Sequence, residues 1–169
     1  MRPLRLDSKR AQEAIGMSFG WIFALILIIV FISVAIYGIK YFMNIGSCSR
    51  VGLFYDDLQQ KVDQAYQSSS SDFEMEVALP GITQICFSNL SEKITGSMLA
   101  YEELNLYEFY DANTFLIPSK NACDMPYKTI RHLNISKTTS LKNPLCIDVS
   151  DGETIRIIKD YYDRGVTIK

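Results

Sequence analysis

The sequence predicts an α+β protein in which an N-terminal transmembrane helix leads into an amphipathic external helix packed on a mainly antiparallel β-sheet, stapled by disulfides. Three observations carry this reading. Residues 14–39 contain no charged side chain. Between Val51 and Tyr66, apolar residues recur every three or four positions. From Asp72 onward the chain breaks into short β-branched and aromatic runs punctuated by Pro80-Gly81, Pro118, Pro126 and Asn143-Pro144.

As a helix, the uncharged run would be about 39 Å long against roughly 30 Å of hydrocarbon, enough to span a bilayer with some tilt or with its ends among the headgroups. Phe19, Trp21 and Phe23 near one end, and Tyr37, Tyr41 and Phe42 at the other, match the aromatic belts of membrane helices. A soluble core helix of this length would carry charge along one face. Arg2, Arg5, Lys9 and Arg10 precede the run and only Lys40 closely follows it. The positive-inside rule then places residues 1–13 in the cytoplasm as a basic arm, residues 14–43 in the cell membrane and residues 44–169 outside it. Ser33-Val34-Ala35 has the small-residue pattern of a signal cleavage site. The apolar run continues through it, however, and exceeds a signal core of about 7 to 15 residues, so a retained anchor is expected.

Of 17 Lys+Arg and 19 Asp+Glu, residues 1–13 hold four and two, so the remainder carries 13 basic against 17 acidic residues, a net −4. An acidic exterior argues against nucleic acid or anionic membrane surfaces as partners. The expected partners are the lipid bilayer and other proteins, including copies of this chain through the transmembrane helix.

All four cysteines, Cys48, Cys86, Cys123 and Cys146, fall on the outer side. Wide spacing disfavours a metal site, and the distribution reads as two disulfides in an oxidising compartment. Sequence neighbours close the shorter loops, which predicts Cys48–Cys86 and Cys123–Cys146. Asn89-Leu90-Ser91 and Asn134-Ile135-Ser136 fit the N-glycosylation pattern and agree with external exposure.

The weak helix formers Asn44-Ile45-Gly46-Ser47 predict a break or bend where the helix leaves the bilayer. A second helix follows from Val51 to Gln67. Its stripe is Val51, Phe54, Leu58, Val62, Ala65 and Tyr66, and Asp56, Asp57, Gln60 and Gln64 lie on its solvated side. The Ser68–Ser71 run ends it. Strands are expected near Phe73–Leu79, Thr83–Phe87, Thr114–Ile117, Thr129–Leu133, Leu145–Val149 and Glu153–Lys159, with one or two short helices within Gly96–Tyr110. The last two strands read as a hairpin with a Ser150-Asp151-Gly152 loop. That register puts Leu145, Ile147, Val149, Ile155 and Ile157 on one face, sets Gly152 where positive φ is needed, and turns Cys146 away to tether the loop holding Cys123.

No catalytic constellation is expected. The lone His132 sits in a predicted strand, and with the cysteines in disulfides no thiol is left to pair with it. Asp56-Asp57 and Glu102-Glu103 are adjacent pairs, which do not share a helix face and mark solvated sides. No phosphate-binding glycine loop, nucleophile elbow or zinc-protease motif occurs. The expectation is a non-enzyme with no cofactor and no metal. Gly16, Gly20 and Ala24 line one helical stripe at four-residue intervals, a pattern that lets two membrane helices approach closely.

Lys9-Arg10-Ala11-Gln12, the long apolar helix and the β-rich external domain together resemble archaeal type IV pilins with class III signal peptides. That resemblance implies processing between Ala11 and Gln12. It departs at one point: pilins usually carry Glu five residues into the mature chain, where this sequence has Gly16, while Glu13 comes second. The stretch AQEAIGMSFGWIFALILII and a late Asn-Thr-Phe, Pro and Cys pattern are also similar to small single-pass membrane proteins of minimal-genome archaea, which implies an archaeal envelope protein. The leading expectation is a pilin-like structural or surface-assembly subunit. The alternative is a monomeric anchored binding module or accessory subunit of a membrane complex.

Overall fold

The structure is a computed structural model that describes residues 8–150 and 152–169, apart from the side chains of residues 8–18, 44, 45 and 99. The rest of the expected arm (residues 1–7) and Asp151 of the expected hairpin loop lie outside the described residues.

Helix α1 spans Ser8–Gln67. The chain divides into two compact units between Ile45 and Gly46. In the first, every residue from Phe19 to Tyr37 is exposed. Helical structure carries on through Asn44–Ser47, so the break expected there does not form. Each of those residues costs a helix about 1 kcal/mol or less, Gly46 the most, and none carries the roughly threefold larger penalty of proline.

The second unit holds the end of α1 and β1 (Ser71–Glu76), β2 (Gln84–Phe87), α2 (Met98–Leu104), β3 (Thr114–Ile117), β4 (Tyr127–Lys128), α3 (Ile135–Thr138), β5 (Leu145–Asp148), β6 (Thr154–Lys159) and β7 (Thr167–Ile168). They form two antiparallel sheets, ordered β1-β6-β7 and β4-β3-β2-β5. The stripe Val51, Phe54, Leu58, Val62 and Ala65 is buried in one core with Met75 of β1, Ile85 and Phe87 of β2, Leu116 of β3, and Ile155 and Ile157 of β6. The core therefore joins α1 to both sheets, as the amphipathic pattern requires. Cys86, Phe115 and Cys146 project from the other face of the four-stranded sheet into a second cluster, covered by Ala100 and Leu104 of α2. The Ser97 hydroxyl starts α2 by accepting the Ala100 N–H.

The expected C-terminal hairpin is corrected. β5 and β6 do not pair with each other: β5 lies along β2 and β6 along β1. Both ends of their connection are claimed elsewhere, since Val149 donates its N–H to the Thr83 carbonyl at 2.8 Å and Glu153 accepts from Val77 at 3.1 Å. The chain thus crosses from one sheet to the other. The alternation survives, with Val149, Ile155 and Ile157 buried, Ile147 packed against the same core, and Asp148, Thr154 and Arg156 exposed. Gly152 has φ +77°, as the turn requires.

The disulfide pairing is also corrected. The sulfurs meet as Cys48–Cys123 and Cys86–Cys146. The Val149–Thr83 bond makes 83/149, 85/147 and 87/145 the bonded pairs of the β2–β5 ladder. Cys86 and Cys146 then form the intervening non-bonded pair, where antiparallel strands come closest, and their Cα atoms are 4.0 Å apart. Cys146 is therefore committed to β2, and the loop holding Cys123 is tethered to α1 at Cys48, with a Cα–Cα distance of 5.7 Å.

The strand expected at Thr129–Leu133 is shorter and earlier, at Tyr127–Lys128. Beyond it, side chains take the role of a neighbouring strand. The Asn113 amide donates to the Ile130 carbonyl at 2.8 Å and accepts the Ile130 N–H at 2.9 Å, and Gln59 of α1 accepts the Arg131 N–H at 2.9 Å. Leu133 keeps only an isolated parallel bridge to Val166.

Candidate functional site

One candidate site is the apolar stretch of α1, whose residues from Phe19 to Tyr37 are all exposed. Its residues have no polar face, and by length and composition this helix can cross a membrane. The Ser33 hydroxyl donates to the Ile29 carbonyl at 2.8 Å, so this polar group is satisfied within the helix, as hydrocarbon surroundings demand. Gly20 and Ala24 lie on this stretch, and a side chain built at Gly20 would meet nothing within 4 Å. Ala11, Gln12 and Gly16 fall within α1, but their side chains are outside the described residues.

His132 is not a strand residue. It adopts φ +66° and lies exposed at a bend that is held when Val166 donates to its carbonyl at 2.8 Å. Its ring stacks on Tyr66 with centroids 4.0 Å apart and an interplanar angle of 17°, and its Nε2 lies 3.8 Å from Asp63 Oδ1. This stack corrects the place of Tyr66 in the core stripe, because the tyrosine is 42% exposed and closes the end of the helix from outside. A cleft of about 410 Å³ adjoins it, bordered by Asn134, Ser136 and Arg164. The stack joins the end of α1 to the loop that carries His132.

The carboxylate pairs separate. Asp56 reaches Lys128 at 3.0 Å while Asp57 faces solvent. Glu102 is exposed, but Glu103 is half-buried and accepts the Ser119 N–H, so it is not simply a solvated residue as expected. Both glycosylation asparagines are engaged in turns. Asn89 accepts the Ser91 N–H at 3.2 Å and donates to Glu92 at 2.8 Å, and Asn134 caps α3 by accepting the Lys137 N–H at 3.1 Å. Among the described residues, no group of three or more His, Cys, Asp or Glu is placed to hold a metal ion.

Sequence periodicity overlooked two residues that organise this unit. Tyr55 is fully buried beside the stripe, with its hydroxyl donating to the Met125 carbonyl at 3.2 Å, and burial pushes its phenol far above the ordinary value. The Phe54-Tyr55 pair and the apolar positions four apart were the available signal. Asn143 is buried and gathers the loop from Ser88 to Gly96. Its side chain accepts from Ser88 Oγ at 3.0 Å and donates to the Asn89 carbonyl at 2.8 Å, and its carbonyl accepts from Thr95 and Gly96. Only the Asn-Pro dipeptide hinted at it. No protein-family model, no characterised protein and no solved structure matches this chain.

Proposed function

We propose that the protein is an envelope component held N-in, C-out by residues 14–43, whose α+β domain builds or attaches to a surface assembly in the manner of a pilin subunit. One observation supports this reading above the others. A single helix combines an unburied apolar stretch, Phe19–Tyr37, with a stripe from Val51 to Ala65 that is buried against antiparallel sheets. That is the helix plan of a pilin. Before assembly, lipid covers the apolar half; within a filament, the same half packs on its copies, so one surface serves both states. The disulfide pairs lie wholly within the second unit, in keeping with an oxidising compartment.

Intact-mass measurement of the protein from its native membranes tests the reading. Loss of residues 1–11 is expected for a filament subunit. A retained arm would instead favour a permanently anchored binding module or accessory subunit, the reading supported by Gly16 standing where pilins carry Glu.

A further inference from the structure

β1 is the outer strand of its sheet, and its ladder fixes which backbone groups are left over. Arg156 and Lys169 exchange backbone hydrogen bonds at 3.1 and 2.9 Å, so Arg156 and Ile158 point their backbone groups at β7. Ile155, Ile157 and Lys159 then point at β1, where their partners are Met75, Phe73 and Ser71, and Val77 extends the series through Glu153. Asp72, Glu74, Glu76 and Ala78 are left with N–H and C=O groups aimed away from the sheet. No hydrogen bond outside the ladder uses them among the described residues. Their side chains are exposed, while Met75, Val77 and Leu79 are buried, so the strand alternation runs on past the end of β1.

A groove of about 440 Å³ lies between this segment and α1. Phe54, Met75, Val77 and Leu79 make its apolar lining, and Leu53 beside them is 64% exposed. Carboxylates outnumber cations around the edge. Arg156 holds Asp72 and lies opposite Glu74 in the ladder, and Lys128 holds Asp56, but Asp57, Glu74 and Glu76 enter no salt bridge among the described residues, and Arg50 is the cation on the groove.

We propose that the β1 edge and this groove take an extended segment of a partner protein as an added strand, with Lys or Arg alternating with aliphatic residues. A residue paired with Glu74 or Glu76 shares their face, where a cation is favoured, and its neighbours turn toward the apolar lining. A second copy of this chain does not match. Its other outer strands, β4, β5 and β7, offer only Lys128 and, just past β7, Lys169, never a cation alternating with aliphatic residues, and a second β1 would set carboxylates against carboxylates. The inference concerns the second unit alone and goes beyond the proposed assembly role.

The test uses the full chain in neutral detergent and a fluorescent, end-blocked peptide of alternating lysine and valine, about eight residues long, read by anisotropy. Saturable binding is expected, with none for the glutamate–valine peptide. Joint Glu74→Lys and Glu76→Lys substitution should weaken it about tenfold or more. Glu74→Pro removes an outward N–H without touching the β6 ladder and should weaken it comparably. N-methylating the peptide nitrogens that face the edge should abolish binding while leaving the protein unaltered. Absence of saturable binding would overturn the proposal, leaving the carboxylates as guards against edge pairing. So would binding insensitive to N-methylation, which would mean attraction to an acidic surface. Self-association of the full chain that is lost in the same variants, with no peptide bound, would assign the edge to a second copy and also overturn it.

Discussion

Two stretches of α1 share a helix and differ in almost everything else. Leu25, Leu27 and Ile28 are 51%, 39% and 53% exposed, whereas Leu58 and Val62, of the same chemical type, are 0% exposed. Around the first stretch apolar side chains occupy every direction, so no rotation of the helix could hide them from water. Around the second, Asp56, Asp57 and Gln60 take the outer side and leave one stripe for the core. Helix formation is common to both. The surroundings each stretch demands are read from whether its polar residues are absent or confined to one face.

The largest expected effect sets the two stretches against each other directly. Leu58→Ala should destabilise the domain by about 2 to 5 kcal/mol, because it leaves a cavity in a sealed core, while Leu27→Ala should change domain stability by less than about 0.5 kcal/mol. Denaturant unfolding of the full chain in detergent, followed by near-ultraviolet circular dichroism, measures both, and equal losses would erase the distinction. Gln60→Ala on the outer side should leave stability unchanged.

Next comes the staple that ties the buried stretch to its surroundings. Replacing Cys48 and Cys123 together by Ala should cost roughly 2 to 5 kcal/mol. Non-reducing peptide mapping of the untreated chain should recover Cys48–Cys123 and Cys86–Cys146. Recovery of a Cys48–Cys86 peptide would contradict the register of β2 with β5.

A smaller effect belongs to Tyr55. Tyr55→Phe loses a hydrogen bond worth about 1 kcal/mol and changes the alkaline limb of stability. Burial holds the folded phenol protonated above its ordinary value of 10.0, whereas the unfolded chain ionises there. The unfolded state then binds fewer protons, so stability is full below pH 10 and falls as pH rises beyond it. Phenylalanine should remove that fall, and an unchanged alkaline limb would refute the burial account. In acid the sign reverses. Arg156 beside Asp72, and Lys137 beside Asp160, hold those carboxyls below their ordinary value of 3.8, so their contribution is present above it and lost as pH drops through the folded values.

The smallest effect on folding falls on the exposed stretch. Gly20→Ile finds open space around its Cβ and should leave the fold unchanged, yet it places bulk on the small-residue stripe. Crosslinking in membranes should show weaker association than for Leu27→Ile. Equal association would return the stripe to lipid-facing surface and favour the monomeric anchored module.

By itself, the sequence determined the long apolar helix, the buried stripe from Val51 to Ala65, the Thr114–Ile117 strand and the positive φ of Gly152. Each follows from local periodicity, local sterics or the absence of charge. Tertiary structure alone decided which strands pair, which cysteines meet and where Tyr66 and Tyr55 settle. A shortest-loop rule favours neighbouring cysteines, but doubling a loop costs only about 0.6 kcal/mol, so it has little force against strand register. The Cys48–Cys123 bond accordingly spans 75 residues. The Ser150-Asp151-Gly152 sequence was compatible with a hairpin, and β1 and β2 offered each strand a partner that also buried its apolar side. Partner choice of this kind depends on the summed burial of residues far apart in the chain, which no local window contains.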